Sequence, residues 1–186
     1  MMTPALETTR LTLRPFDAHD REAINAMLAD PETTRHMHFG RWTEEQRRSW
    51  FDWSVEAATQ PITDSIQWVI ALRSTGEVIG WFGIGASSNP EVDGDNSFGY
   101  LLARPHWNQG FMTEALQAVF AFEFETLRAP RLTATCDVEN PASARVMEKA
   151  GMTRVKTAYG ADFEGNMAHR HHYAITREGY RSLHAE

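Results

Sequence analysis

Apolar and polar positions change period along this chain, and the changes mark out its elements. In "RLTLRPF", Arg10 to Phe16, Leu11 and Leu13 alternate with Thr12 and Arg14, the period-two signal of a strand with one buried face. From Asp17 to Ala29 the spacing turns helical, with Ile24, Met27 and Leu28 on one side, and it stops before Asp30-Pro31. "TTRHMHFGRW" carries neither period and reads as a loop. Thr43 with Gln46 forms a capping-box pattern that opens a helix over 44–59.

Strands then follow closely. "SIQWVIAL" and "EVIGWFGIGA" flank the turn "RSTGE" and predict a hairpin. "NSFGYLLAR" comes next, after the turn-rich "SSNPEVDGD". A helix over 110–127 places Leu116, Val119, Phe120 and Phe124 on one side, and "RLTATCDV" is a strand. "NPASARVMEKAG" reads as a short helix with Asn140 as cap, Pro141 at its first position and Gly151 as its stop. "MTRVKTAY" and "NMAHRHHYAIT" flank "GADFEG" as a last hairpin, and "REGYRSLH" closes the chain as a helix. The first half is antiparallel in character, whereas 97–138 has the length of a parallel strand–helix–strand crossover. A mixed α/β (α+β) sheet with helices on its faces satisfies both halves.

Composition narrows the function classes. Lys and Arg number 18 against 25 Asp and Glu, a net charge of -7, and the cations are scattered. No concentrated basic stripe is present, so a nucleic-acid partner is not expected; the acid balance suits a basic partner such as an amine. A single cysteine, Cys136, rules out an intrachain disulfide and a cysteine-cluster metal site. No apolar run approaches the ~20 residues of a membrane span, and "MMTPALETTR" shows no apolar signal core. The expectation is a cytoplasmic protein folded as a single domain over 1–186.

Two stretches carry candidate chemistry. In "RPHWNQGFMTEAL" a strand runs through a tight connection into a helix that starts at Gly110. First-turn amides of a helix lack intrahelical partners and attract anions, and a residue without Cβ lets a phosphate come close. The same residues also fit an ordinary helix start, and no Gly-Lys-Ser/Thr or GxGxxG accompanies them. In "ENPASARVMEKAGM", Asn140 and Ser143 sit where the next strand meets its helix. Both fit local capping, and both also lie at the carboxyl end of a strand, where ligands favour α/β sheets.

Taken together, the stretches resemble the GNAT N-acetyltransferase superfamily, in particular its ribosomal-protein-alanine N-acetyltransferase-like branch. "PHWNQGFMTEAL" is similar to the branch motif W-G-x-G-[YF]-A-T-E-A, and "NPASARVMEKAGM" to N-x-x-S-x-x-V-x-x-K-x-G-[FM]. "LETTRLTLRPF" and "GEVIGWFGI" fit as well, so the resemblance runs over roughly Leu6 to Leu183. It implies an acyl-CoA N-acyltransferase domain with a mostly antiparallel sheet of about seven strands and a splayed parallel pair. It further implies acetyl-CoA as cosubstrate, an amine acceptor (a protein N-terminus, a small amine or a polyamine), and a monomer or homodimer, as its relatives are. No metal is expected, because no Cys or paired acid accompanies the H-x-H spacing of His169 and His171.

The resemblance also assigns residues. The diphosphate would rest on backbone amides of Gln109, Gly110, Phe111, Met112 and Thr113. The pantetheine would extend the strand through Leu101, Leu102 and Ala103, and Asn140 would bond the cofactor near its thiol arm. A strand N–H at Phe98 or Tyr100 would polarise the thioester carbonyl. Many relatives place a proton-donating Tyr where this chain has Met147, which leaves Ser143 as donor to the departing thiolate. A Glu common before the Gly-Tyr pair is also missing, since Ser97-Phe98 stand there; Asp95, Glu77 or a histidine are the substitutes.

His36, His38, Trp42, His169 and His171 are candidate acceptor-site residues, with plain surface positions as the alternative for the histidines. Trp50 and Trp53, three apart on a helix, favour core packing, as does Cys136 within its apolar strand. A second reading of the whole chain is a non-catalytic acyl-CoA sensor or interaction module. A Ser-His-Asp hydrolase is disfavoured by the absence of a G-x-S-x-G elbow.

Overall fold

The computed structural model describes residues 1–37, 42–63, 65–86, 95–161 and 167–185. Within them, eight strands form one sheet in the order β1-β2-β3-β4-β5-β6-β8-β7. These are β1 (Leu6–Glu7), β2 (Leu11–Arg14), β3 (Ser65–Leu72), β4 (Val78–Ala86), β5 (Asn96–Leu102), β6 (Arg131–Asp137), β7 (Thr153–Ala161) and β8 (Met167–Thr176). The helices are α1 (Arg21–Ala29), α2 (Glu44–Ala58), α3 (Phe111–Ala121), α4 (Pro141–Lys149) and α5 (Arg177–Leu183). Each strand and helix expected from the periodicity is present. The two-residue β1 is the additional strand, too short to show any alternation. Parallel pairing joins β5 to β6, and β2·β3, β6·β8 and β7·β8 are antiparallel.

Spatially the chain divides into two compact units, 1–84 with 99–111, and 85–98 with 112–186. In the first, Leu11 and Leu13 are fully buried while Thr12 and Arg14 keep half-buried positions on the opposite face of β2. The core under α1 and α2 gathers Phe16, Ile24, Leu28, Phe51, Val69 and Trp81. Thr43 caps α2 through its side chain, which accepts from the Gln46 N–H, and the Gln46 side chain answers on the Thr43 N–H at 2.8 Å. That reciprocal pair satisfies two first-turn donors and accounts for the start of α2.

In the second unit an aromatic file, Phe98, Phe120, Phe124 and Tyr180, packs at centroid spacings of 5.8, 6.0 and 5.0 Å. Helix α3 ends in a π turn, Phe122–Thr126, where the Leu127 N–H reaches back to the Phe122 carbonyl at 3.1 Å. The turn carries Glu123 inward, fully buried. Gly151 stops α4 with φ 95°, a left-handed conformation, and an added Cβ would lie 2.4 Å from the Leu183 side chain.

Candidate functional site

The β5-to-α3 connection shows where backbone donors point. The Ala103 N–H donates to the Ile79 carbonyl of β4 at 2.8 Å, and the Leu101 carbonyl lies 2.5 Å from where a Cβ on Gly80 would be. Leu101 and Ala103 therefore turn their backbone toward β4. By the period-two alternation of a strand, Tyr100 and Leu102 turn theirs away from it. Of the strand amides expected to meet a pantetheine, Ala103 is already engaged with β4. The parallel register of β5 on β6 consists of Asn96↔Leu132 and Ser97↔Thr133, whereas β5 itself continues to Leu102.

Beyond β5 the chain is tied into a tight connection. Trp107 donates its indole N–H to the Leu102 carbonyl at 2.5 Å, and Gln109 donates its side-chain amide to the Pro105 carbonyl at 2.9 Å. Asn108 and Gly110 both adopt positive φ, 59° and 80°. These left-handed residues reverse the chain so that α3 starts at once at Phe111. Nothing but the Arg10 guanidinium, at 3.4 Å, would meet a Cβ on Gly110. The first turn of a helix offers backbone N–H groups and a favourable dipole to an anion, and here the only side chain a Cβ on Gly110 would meet is that of Arg10. Met112 is buried in the fold.

At the β6-to-α4 junction, Asn140 caps α4 by accepting the Ser143 N–H on Oδ1 at 3.1 Å. The Ser143 hydroxyl donates toward the Cys136 sulfur, and this contact favours the thiolate. Burial, the largest influence, together with Asp137, outweighs it and pushes the thiol up to about 11. Cys136 is a buried residue of β6, the packing expected from its strand. Met147 is buried too. Below α4, the Tyr173 hydroxyl donates to Glu148 at 2.9 Å, and burial foremost pushes this phenol up to about 12.

The candidate bases fall in different surroundings. Asp95 is buried at the head of β5 with Arg131 Nε 3.5 Å from its Oδ2. Glu77 stands exposed in the β3–β4 turn and pairs with His106 at 3.3 Å, within the connection that leads to α3. Glu123 was not singled out from sequence, because a Glu between two Phe residues of an amphipathic helix gives no sign that a π turn rotates it inward. Asn96 donates to its Oε2 at 3.1 Å, and burial holds its carboxyl above the usual carboxylate range against that hydrogen bond.

The histidines separate. His36 accepts from Arg35 Nε at 3.3 Å, and His38 lies outside the described residues. His169 and His171 occupy alternate positions of β8: His169 tilts against Tyr159 at 5.0 Å, and His171 Nδ1 lies 2.7 Å from the Thr157 hydroxyl. Trp42 packs edge-on to Trp50 at 6.2 Å, and Trp50 in turn to Trp81 at 5.4 Å. Trp42 is thereby joined to the core. Trp53, expected to pack with Trp50, is 47% exposed instead; the buried face of α2 runs through Phe51 and Ser54. The Trp81 indole lies along the strands: a Cβ on Gly83 would sit 2.7 Å from it, and one on Gly99 3.8 Å. Gly83 is therefore the space that Trp81 fills beside the Gly99-Tyr100 segment.

A mixed, mostly antiparallel sheet that includes the parallel β5–β6 pair is the architecture of the acetyltransferases this chain resembles. The chain belongs to the GNAT acetyltransferase family, whose domain model matches residues 10–153. It is 32% identical over 154 residues to the uncharacterized N-acetyltransferase YoaA of Bacillus subtilis (strain 168), covering 82% of this chain and 85% of that protein. A GNAT-family acetyltransferase structure from Bacillus anthracis superposes with a TM-score of 0.80 at 26% identity, over 94% of this chain and 99% of the other. The ribosomal alpha-N-protein acetyltransferase RimL, solved in complex with coenzyme A, shares the fold at 18% identity and a TM-score of 0.77, over 93% and 98% of the two chains. As a family member the chain is an acyltransferase. No helix among the described residues is long and apolar enough to cross a membrane.

Proposed function

We propose that the chain, acting as one acyltransferase domain over 1–186, transfers acetyl from acetyl-CoA directly to a primary amine, a protein N-terminus or a small amine or polyamine. The observation that carries this reading is the Asn108–Gly110 turn, which follows a short 3-10 helix, Arg104–His106, after β5 and opens α3 with a left-handed glycine. The residues present fit the cosubstrate: Gln109 to Thr113 offer first-turn backbone to the diphosphate, and Tyr100 turns its backbone away from β4, as strand addition by pantetheine amides requires, with the Leu102 N–H on the same side and its carbonyl held by Trp107. Bound there, acetyl-CoA supplies an activated thioester.

The chain's own groups then have defined tasks. The Tyr100 N–H donates to the thioester carbonyl as charge develops on its oxygen. Asn140 spends Oδ1 on its helix cap, so its side-chain N–H is the part that meets the thiol arm. The acceptor nitrogen attacks the carbonyl carbon, the C–N bond forms and the C–S bond breaks. Ser143 gives its hydroxyl proton to the departing sulfur and recovers one, through water, from the acetylated amine. Direct transfer is supported by Cys136, whose thiol stays protonated at neutral pH and offers no nucleophile for an acetyl-enzyme.

Following thiol release from acetyl-CoA across a panel of peptides, polyamines and small amines tests the reading. Acceptor-dependent release is expected for at least one class. Saturable acetyl-CoA binding without release for any amine would instead favour the sensor reading.

A further inference from the structure

Arg10 precedes β2 in sequence, yet its guanidinium lies on the turn that opens α3. Nη1 donates to the Gln109 carbonyl at 3.0 Å. The guanidinium carbon stands 4.4 Å from the centroid of the Phe111 ring. Nη2 is the atom that a Cβ on Gly110 would meet, at 3.4 Å. One side chain thus bonds Gln109, 99 positions away, stacks on Phe111 and borders the Gly110 between them. The backbone of Arg10 is itself fixed, because its carbonyl accepts the Arg73 N–H at 2.9 Å. The His106 ring also lies against Phe111, at 6.2 Å, and pairs with Glu77.

We infer that Arg10 is the positioning residue for the diphosphate of the acyl donor, an inference that rests on the function proposed above. Its hydrogen bond to Gln109 holds the turn in the left-handed form that exposes the amides of α3, and its stacking on Phe111 fixes where the charge sits. In a chain of net charge -7 that fixed cation also offsets the repulsion a polyanionic donor meets on approach. A Lys there would keep the charge but lose the planar group that bonds a carbonyl and stacks on a ring together.

The test compares a donor with phosphates to one without. Acetyl-CoA and S-acetylpantetheine share the thioester arm, so the ratio of their kcat/KM values reports the phosphorylated nucleotide half of the donor. In R10Q this ratio is expected to fall by about tenfold relative to the wild-type protein, through a raised KM for acetyl-CoA. Calorimetric titration with coenzyme A should show a parallel loss of affinity. R10K should give a smaller fall, and answers the same question if R10Q does not fold. R48Q, which removes an exposed charge on α2, should leave the ratio unchanged. An unaltered ratio in R10Q or R10K, or an equal loss with both donors, overturns the inference. A wild-type protein that binds no coenzyme A at all overturns the proposed function instead.

Discussion

Gly110 concentrates several requirements in one residue. With φ at 80°, a residue carrying a Cβ is strained by about 1 kcal/mol or more, whatever space surrounds it. The Cβ itself would meet only the movable end of Arg10, so the backbone sets the cost. Gly110→Ala should therefore lower unfolding stability in urea by about 1 kcal/mol and weaken coenzyme A binding by more than this strain implies, because the methyl occupies the approach to the amides. Equal CoA affinity in the two proteins would remove the diphosphate from this turn. Cys136 is the opposite case, a reactive residue type made inert by its setting. With the thiol at about 11, roughly one molecule in several thousand carries the thiolate at pH 7.5. Incubation with acetyl-CoA should leave the intact mass of the protein unchanged, and iodoacetamide should label Cys136 slowly until the chain is denatured. A mass increase of one acetyl group, abolished by Cys136→Ala, would replace direct transfer with a covalent route.

Among the elements, α4 separates structure from chemistry most cleanly. Its cap uses the Asn140 Oδ1, which an Asp reproduces, whereas the amide N–H has no equivalent in Asp. Asn140→Asp should keep the stability of the wild type and lose acetyl transfer at least tenfold. Asn140→Ala should lose about 1 kcal/mol in thermal or urea unfolding as well as activity. Full activity in the Asp variant would reduce Asn140 to a cap. The sequence made α4 legible down to its cap, its Pro at the first position and its Gly stop, since each is a local signal. It made β2 legible through Leu11 and Leu13, whose alternation survives as burial. What it left hidden is non-local. Arg10 reads as the polar start of a strand until the fold lays it on Gln109 and Phe111. Glu123 falls within the helix expected over 110–127 with nothing to mark it, and the π turn buries it. Trp53 reads as a partner of Trp50 three residues on, but the buried side of α2 passes through Phe51 and Ser54. Periodicity finds the faces of elements; it does not say what lies across from them.

At the scale of the whole molecule, buried acids of high pKa set the alkaline limit of stability. Cys136, Tyr173 and Tyr180 all hold their protons more tightly in the fold than in the unfolded chain, burial being the main cause in each. For such a group the folded state binds the extra proton, so its contribution is fully present below the unfolded value and is lost as pH rises through the folded one. The window follows from the values: for Cys136 from 9.0 to about 11, and for Tyr173 from 10.0 to about 12. A shift of two units corresponds to about 3 kcal/mol per group, as an order of magnitude. Unfolding free energy should therefore hold steady to pH 9, begin to fall as the unfolded thiol ionises, and steepen above pH 10 when the phenols join. Cys136→Ala should flatten the first segment, between pH 9 and 10, and leave the steep segment in place. Tyr173→Phe should act on the steep segment and, by removing the hydrogen bond to Glu148, also lower stability by about 1 kcal/mol at neutral pH. Urea unfolding at pH 8, 9.5 and 11 on the three proteins reads both segments. The same initial slope in Cys136→Ala as in the wild type would show that the thiol beside Ser143 is open to solvent rather than sealed within β6, and would return it to the list of groups able to react.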